Sequence, residues 1–235
     1  MELKQKSLST LGRFEKSRIF RFRSIVIPSE DLLPASVHVK ILIDILHPAH
    51  VHFFKNFIRQ SKDWCETVVV SRNKEITDRL LQLEAIKYSK LSDPAFGALG
   101  QALELSSRWV KIFQILKKEK CDLAMSISGL CTAVPAKLLG IPNITFTDTE
   151  DASLSNKLAF PFSDVILTPQ FFLHKLGKRH IRYSGLHELA YLRNIDDEQI
   201  AAEQRQLNLP ERYVVLRLVA HKALHDHKVC AIPRE

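Results

Sequence analysis

Apolar and polar positions follow a regular pattern from residue 39 onward. Short runs rich in Val, Ile and Leu are separated by longer stretches in which apolar residues recur every three or four positions. The short runs are typical of strands buried on both faces, and the longer period is typical of amphipathic helices. The predicted strands cover residues 39–46, 66–70, 87–91, 123–128, 143–147, 165–168 and 181–184. The predicted helices cover residues 51–61, 74–83, 99–118, a stretch that ends at Gly140, and 154–160.

This alternation predicts the fold class. Helices that connect successive strands make the strands parallel, through right-handed crossovers that cover both faces of the sheet. The sequence therefore predicts an α/β protein with a doubly wound parallel sheet, a Rossmann-like domain over residues 39–186.

The rest of the chain divides into a leader and a C-terminal part. Residues 1–38 show neither period and carry acidic residues that a transit peptide would lack, so we expect a disordered or extraneous leader. Residues 187–211 predict an interdomain linker with a polar helix, and residues 212–235 predict the first strand of a second domain. An α/β domain needs on the order of 100 residues. We therefore expect a truncated second domain and a catalytically incomplete chain.

The charge narrows the range of partners. The formal net charge is +8, but seven Lys and Arg against two Glu lie within the first 28 residues, which leaves the rest only mildly basic. This distribution argues against nucleic acid as a partner and is compatible with peripheral contact with an anionic membrane. The basic segment "LGKRHIR", residues 176–182, motivates one alternative, a non-enzymatic domain that binds an anionic ligand such as a glycolipid.

Several kinds of site lack their sequence signatures. The four cysteines form no CxxC pair and follow no secretory signal, which predicts reduced thiols and a cytoplasmic protein. The seven glycines form neither GxGxxG nor GxxxxGK[ST], so the usual NAD and ATP loops are absent and we expect no cofactor. The histidines of residues 221–227 match no standard metal spacing, and no metal is expected.

Three loops are predicted to meet at one edge of the sheet. Ligands of open α/β sheets bind outside the carboxyl ends of the strands. The loops that follow predicted strands there are "LHPAH" (46–50), "SGLCT" (128–132) and "DTEDAS" (148–153). A functional site on this rim would combine imidazoles, backbone N–H groups and carboxylates.

The first loop places His47 and His50 on either side of Pro48. A histidine at this position can act as a general base or donate a hydrogen bond to an anion, and we predict His50 as the catalytic base. His47 either contacts the substrate or holds the turn. His52 lies inside the predicted helix and is expected to pack or to cap it.

The other two loops supply the remaining candidates. Asp148 and Glu150 could act as base or bind sugar hydroxyls, with Thr149 beside them, whereas Asp151 and Ser153 are more typical of helix caps. In the middle loop, Ser128 and Gly129 would present backbone N–H groups to a ligand, because glycine permits a close approach.

Three longer segments resemble a known family. They are "KILIDILHPAHVHFFKN", "AKLLGIPNITFTDTEDASLSNKLAFPFSDVILTP" and "HIRYSGLHELAYL", and the resemblance to the domain of unknown function 354 family runs over residues 39–226. That family is in turn similar to the glycosyltransferase-B group, notably the peptidoglycan N-acetylglucosaminyltransferase and the nucleotide-sugar 2-epimerases. In the former, a glycine-rich loop ends in a histidine where His50 stands here; the glycines are missing from this chain.

The resemblance implies an enzyme of cell-surface glycan or nucleotide-sugar metabolism that transfers a sugar from a nucleotide donor such as a UDP-sugar. It implies that the first domain holds a small-molecule or lipid-linked acceptor, that the second holds most of the donor, and that no metal is needed. Asp148, Glu150 and Asn156 would then face the acceptor. A nucleotide-sugar 2-epimerase, which needs no acceptor, is the alternative within the same class.

Overall fold

Seven strands form a single parallel sheet in the computed structural model, which describes residues 38–74, 76–151, 153–192 and 196–216. The strands are β1 (Val39–Ile45), β2 (Cys65–Arg72), β3 (Ser89–Ser92), β4 (Leu123–Ile127), β5 (Asn143–Phe146), β6 (Val165–Pro169) and β7 (His180–Tyr183). Their order across the sheet is β3-β2-β1-β4-β5-β6-β7, and every neighbouring pair is parallel. The predicted fold class is therefore confirmed.

The helices follow the strands in the predicted alternation. They are α1 (Pro48–Gln60), α2 (Thr77–Leu83), α3 (Gly97–Lys118), α4 (Ala133–Leu139), α5 (Ser153–Ala159), α6 (Leu189–Leu192) and α7 (Asp197–Gln206). Because right-handed crossovers lead from β1 toward β3 and then from β3 back to β4, α1 and α2 lie on one face of the sheet and α3 and α4 on the other.

Strand β1 separates two hydrophobic cores. Ile41, Ile43 and Ile45 belong to the core that includes Val51 and Phe54 of α1. Leu42 belongs to the second core, formed with residues of α3 and α4. This division follows from the strand geometry, in which successive side chains point to opposite faces.

Helix α1 begins earlier than predicted. It starts at Pro48 instead of residue 51, and His47 is its N-cap residue. Proline fits the first helical position because its missing N–H would have no partner there. The consequence is that His50 lies in the first turn of the helix, at the carboxyl end of β1.

The strand predicted from Arg212 does not form in the part that the structure describes. Residues 212–216 have no strand conformation, and Val214 is 94% exposed. A strand needs a neighbouring strand to pair its backbone N–H and C=O groups, and residues 212–216 have none. The leader, the His221–His227 cluster and Cys230 lie outside the described residues.

Candidate functional site

The first feature of the rim is the orientation of His50. The backbone N–H of Leu46 donates to Nδ1 of His50 at 3.2 Å, and the N–H of His50 donates to the carbonyl oxygen of His47 at 2.9 Å. An Nδ1 atom that accepts a hydrogen bond carries no proton, so the neutral ring holds its proton on Nε2. Nε2–H has no hydrogen-bond partner among the described residues.

The surroundings of His50 keep it neutral. Burial is the largest cause, followed by the charges of His47, His187 and Lys74, and together they lower the pKa of His50 to about 3. Burial disfavours the charged imidazolium, and neighbouring positive charges act in the same direction. His50 is thus a hydrogen-bond donor at neutral pH.

We expect the imidazole of His50 to remain neutral, as the Nε2–H tautomer, from about pH 8 to about pH 5, where an ordinary histidine titrates near 6.5. Heteronuclear NMR of ¹⁵N-labelled protein measures this directly, and comparison with His50→Gln assigns the signal. A titration midpoint near pH 6.5 would contradict a buried His50 whose Nδ1 accepts a hydrogen bond from the Leu46 amide.

The second feature is a pair formed by Asp148 and His187. Nδ1 of His187 lies 3.1 Å from Oδ2 of Asp148, and the Thr149 hydroxyl donates to Oδ1 of Asp148 at 2.9 Å. These hydrogen bonds, the one from His187 first, lower the pKa of Asp148 to about 2. The carboxylate remains about two-fifths exposed, while His187 is buried, so His187 holds Asp148 from the inner side of the rim.

Aromatic residues enclose His187. The ring of Phe53 lies 4.7 Å from it, and the ring of Tyr183 is nearly parallel to it at 6.2 Å. Burial raises the pKa of Tyr183, so its hydroxyl stays protonated. Nε2 of His187 and the Tyr183 hydroxyl are both buried without a hydrogen-bond partner among the described residues.

Sequence reasoning missed His187 as a site residue. It lies two residues after Gly185 in "SGLHELAYL", a segment that showed a family resemblance but no recognisable site motif. The available signal was its place: His187 comes soon after the carboxyl end of β7, and carboxyl ends of parallel strands share one edge of the sheet.

We expect Asp148→Asn to lower the free energy of unfolding by about 1 kcal/mol at pH 7, a value discounted because the carboxylate is partly exposed. The pKa is lower in the folded than in the unfolded chain. The stabilisation is therefore complete above about pH 4 and disappears as the pH falls toward about 2. Urea unfolding of both proteins at several pH values measures the difference. Asp151 is exposed, so Asp151→Asn is the control and should change stability by less than about 0.5 kcal/mol. If it destabilises the protein as much as Asp148→Asn, the loss is not due to the pair of Asp148 and His187.

The third feature is the turn after β4. Ser128 and Gly129 both have left-handed backbone conformations, with φ of 67° and 66°. The Ser128 N–H donates to the carbonyl oxygen of Phe146 at 2.7 Å, which fixes the turn against β5. Because β4 pairs with β1, this turn and the His50 loop flank the point at which the strand order reverses, where ligands of doubly wound sheets bind.

The predicted residues separate into two groups. His47, His50 and Asp148 lie at the same rim, since His47 and Asp148 are among the charges that His50 senses. His47 accepts a hydrogen bond from the Ala49 N–H at 3.2 Å, so it does hold the turn. The ring of His52 packs against that of Tyr191 at 5.4 Å.

Glu150 and Asn156 form the second group. The carboxylate of Glu150 accepts the backbone N–H of Leu173, in the connection between β6 and β7. Asn156 is buried and donates to the carbonyl oxygen of Thr149 at 3.2 Å. Both residues line a cavity of about 540 Å³ beside α5.

The described part of the chain shows neither a cluster of metal ligands nor a membrane-spanning helix. There, no three His, Cys, Asp or Glu side chains are grouped as ligands of a metal ion. None of the helices described combines the length and hydrophobicity that crossing a membrane requires.

The fold is similar to that of glycosyltransferase-B-type structures. UDP-GlcNAc 2-epimerase from Neisseria meningitidis, in a structure bound to UDP-GlcNAc, matches with a TM-score of 0.53 and 12% identity over 73% of this chain and 51% of that one. MurG from Acinetobacter baumannii matches with a TM-score of 0.50 and 14% identity over 62% and 46%. S. aureus MnaA, in a co-structure with UDP, matches with a TM-score of 0.50 and 16% identity over 68% and 47%. The chain thus spans about half the length of these proteins.

Residues 39–218 match the family described as Protein of unknown function (DUF354). The chain therefore belongs to this family, and the resemblance found in the sequence is confirmed. A comparison with curated proteins found no match.

Proposed function

We propose that this chain supplies the sugar-handling side of a glycosyltransferase-B-like enzyme that acts on a nucleotide sugar. The observation that carries the proposal is the meeting of a donor and an acceptor at the rim. His50 offers a neutral Nε2–H, and Asp148 offers an ionised, partly exposed carboxylate. Such a pair matches the donor and acceptor capacity of a sugar hydroxyl.

The ionised Asp148 and the neutral His50 support roles that differ from the sequence-based prediction of His50 as the base. We assign the proton-accepting role to Asp148, because its carboxylate is ionised, and the role of donor to His50, because its Nδ1 is occupied by the Leu46 amide. In a transfer reaction, the acceptor hydroxyl gives its proton to Asp148 as its oxygen attacks the anomeric carbon. The bond from that carbon to the nucleotide phosphate then breaks, and the nucleotide leaves with the bonding electrons. The hydrogen bond from His187 keeps Asp148 ionised and oriented before it accepts the proton.

The other predicted residues keep supporting roles in this proposal. The turn of Ser128 and Gly129 flanks the strand-order reversal, where the phosphates of the donor would lie. The Ser128 N–H is bonded to the Phe146 carbonyl oxygen, so the prediction that it faces a ligand is wrong and only Gly129 keeps that role in the proposal. His47 and Thr149 fix His50 and Asp148 through their neighbouring hydrogen bonds. Glu150 and Asn156 contribute to the acceptor side from the far end of the same loop.

Epimerisation at C2 of the nucleotide sugar is the second candidate, because the fold resembles an epimerase as well as MurG. The two reactions differ in whether an acceptor is required. Proton NMR of UDP-GlcNAc incubated with the protein separates them. Anomeric signals of a 2-epimer without acceptor indicate epimerisation, and release of UDP only when an acceptor sugar is added indicates transfer.

The site assignment has its own test. In ligand-observed NMR we expect UDP-GlcNAc to receive saturation from the protein. Where turnover is measured, we expect His50→Gln to reduce it by about 10²-fold, the usual effect of removing one well-placed donor. His52→Gln is the matched control, because His52 lies in the same helix as His50 and its ring packs on Tyr191 of α6. Its turnover should stay within about threefold of that of the unchanged protein. If UDP-GlcNAc shows neither saturation nor turnover, the proposal is wrong. If the two variants have equal effects, His50 is not part of the site.

We also place the protein in the cytosol. Cys65, Cys121 and Cys131 are free and buried, and burial raises the pKa of their thiols to about 11, 11 and 12. Free buried thiols are typical of reducing compartments.

A further inference from the structure

The cavity lined by Glu150 and Asn156 lies away from the His50 and Asp148 rim. It has a volume of about 540 Å³ and is bounded by α5, the 3₁₀ turn that follows it, and the connection from β6 to β7. Cavities of this size are in the range that holds small molecules. The function proposed above involves only Glu150 and Asn156 of its lining and gives the other lining residues no role.

The topology explains why the cavity exists. Parallel strands are usually joined by a crossover helix, but β6 and β7 are joined by residues 170–179 without one. A turn-rich connection covers less of the sheet than a helix would. The space between it and α5 remains open, with Ile166 of β6 at its base.

The inner lining is largely apolar. It includes Phe160, just after α5, and Ile166 of β6. The connection from β6 to β7 contributes Phe172 and Leu176. Phe172 is 3% exposed and is held in place by ring contacts with His174 and His180. Phe160 and Leu176 are half-buried, so a hydrocarbon or aromatic group that covers them would displace water from their remaining exposed surface.

The edge of the cavity is cationic, with an anchored arginine. Arg179 donates from Nη1 to the carbonyl oxygens of Pro161 at 3.0 Å and Ser163 at 2.7 Å, which fixes its guanidinium beside the cavity. Lys157 and His174 also line this edge. Glu150 is the one carboxylate in the lining, and its Oε1 is engaged by the Leu173 N–H. Positioned cations beside an apolar wall favour an anion that carries an apolar group.

Asn156, a residue of the lining, carries an unsatisfied buried polar atom. Asn156 lines the cavity with 9% of its surface exposed, and its Nδ2 donates to Thr149. Its Oδ1 has no hydrogen-bond partner among the described residues. Buried polar atoms are normally satisfied, so Oδ1 of Asn156 is an exception in this part of the fold.

We propose that this cavity binds an anionic amphiphile, a molecule with one phosphate or carboxylate group and an alkyl or aryl body. The anionic group contacts Arg179 and Lys157, and the apolar body lies against Phe160, Ile166 and Leu176. This is a second ligand site, on the opposite end of the loop that carries Asp148.

Isothermal titration with octyl phosphate tests the proposal, with inorganic phosphate and octanol as separate arms. We expect saturable binding of octyl phosphate, at least about tenfold tighter than that of either fragment, because both parts of the cavity contribute. Lys157→Ala should weaken binding about three- to tenfold, and Leu176→Asn by a similar factor. Lys178→Ala is the matched control, an exposed lysine of the same connection outside the lining, and should leave affinity unchanged.

The other outcomes each overturn part of the argument. No binding of octyl phosphate refutes the site. Equal binding of inorganic phosphate refutes the amphiphile and leaves a simple anion site. Equal weakening by Lys178→Ala refutes a specific location and indicates attraction to a basic surface. Circular dichroism of each variant checks that the fold is retained, so a loss of affinity can be assigned to the cavity.

Discussion

Gly129→Ala is expected to lower the free energy of unfolding by roughly 3–5 kcal/mol, because two separate costs act at this position. Its φ of 66° disfavours any residue with a side chain. A Cβ atom there would overlap Oγ1 of Thr145, lie 2.9 Å from Cγ2 of the same residue and lie 3.2 Å from Cβ of Ala159. Urea unfolding at neutral pH measures the loss.

Gly140→Ala separates the two costs. Gly140 has nearly the same φ, 69°, but no atom lies within 4 Å of the Cβ that it would gain. It should therefore cost only about 1 kcal/mol, the price of the left-handed conformation. Adding Thr145→Ala to Gly129→Ala should recover part of the loss. If Gly129→Ala and Gly140→Ala destabilise the protein equally, the turn at Gly129 does not pack closely on Thr145 of β5.

Arg108→Met is expected to destabilise the protein by roughly 3–5 kcal/mol, because it leaves the carboxylate of Asp44 buried and unpaired. Arg108 of α3 is 1% exposed and Asp44 of β1 is fully buried, and the two form an ion pair. Arg108 also donates to the Ser71 carbonyl oxygen at 3.2 Å and to Oγ of Ser92 at 3.0 Å.

The double variant Asp44→Val with Arg108→Met tests the cause. Removing both charges eliminates the unpaired carboxylate, so the double variant should regain at least about half of the stability lost by Arg108→Met. Lys117→Met, at an exposed position of the same helix, should change stability by less than about 0.5 kcal/mol. A double variant less stable than Arg108→Met would show that the pair is not the main cost.

Much of the fold could be predicted because it depends on local patterns. The two periods of apolar residues give the element types, and the handedness rule then gives the parallel sheet. Errors fell at element ends, as at Pro48, where the helix starts three residues early because proline suits its first position. Residues 212–216, the described part of the segment predicted as a strand, have no strand conformation, because apolar composition alone does not form a strand without a partner.

The site was only partly predictable because its key contacts join distant segments. His47, His50 and Asp148 were found because each follows a predicted strand at the same edge. The partner of Asp148 could not be chosen from the sequence, since nothing local distinguishes His187 from the other histidines. The roles also depend on hydrogen bonds: the Leu46 amide at Nδ1 makes His50 a donor, and no spacing rule reveals that contact.

The strand order has a consequence for how the chain folds during synthesis. Strand β1 pairs on one side with β2, which follows it closely, and on the other side with β4, in the register Ile41 to Leu123. The ribosome must therefore release most of the chain up to residue 127 before the central strand acquires its second neighbour. Until then one edge of β1 remains unpaired, and an unpaired strand edge is a template for association with another chain.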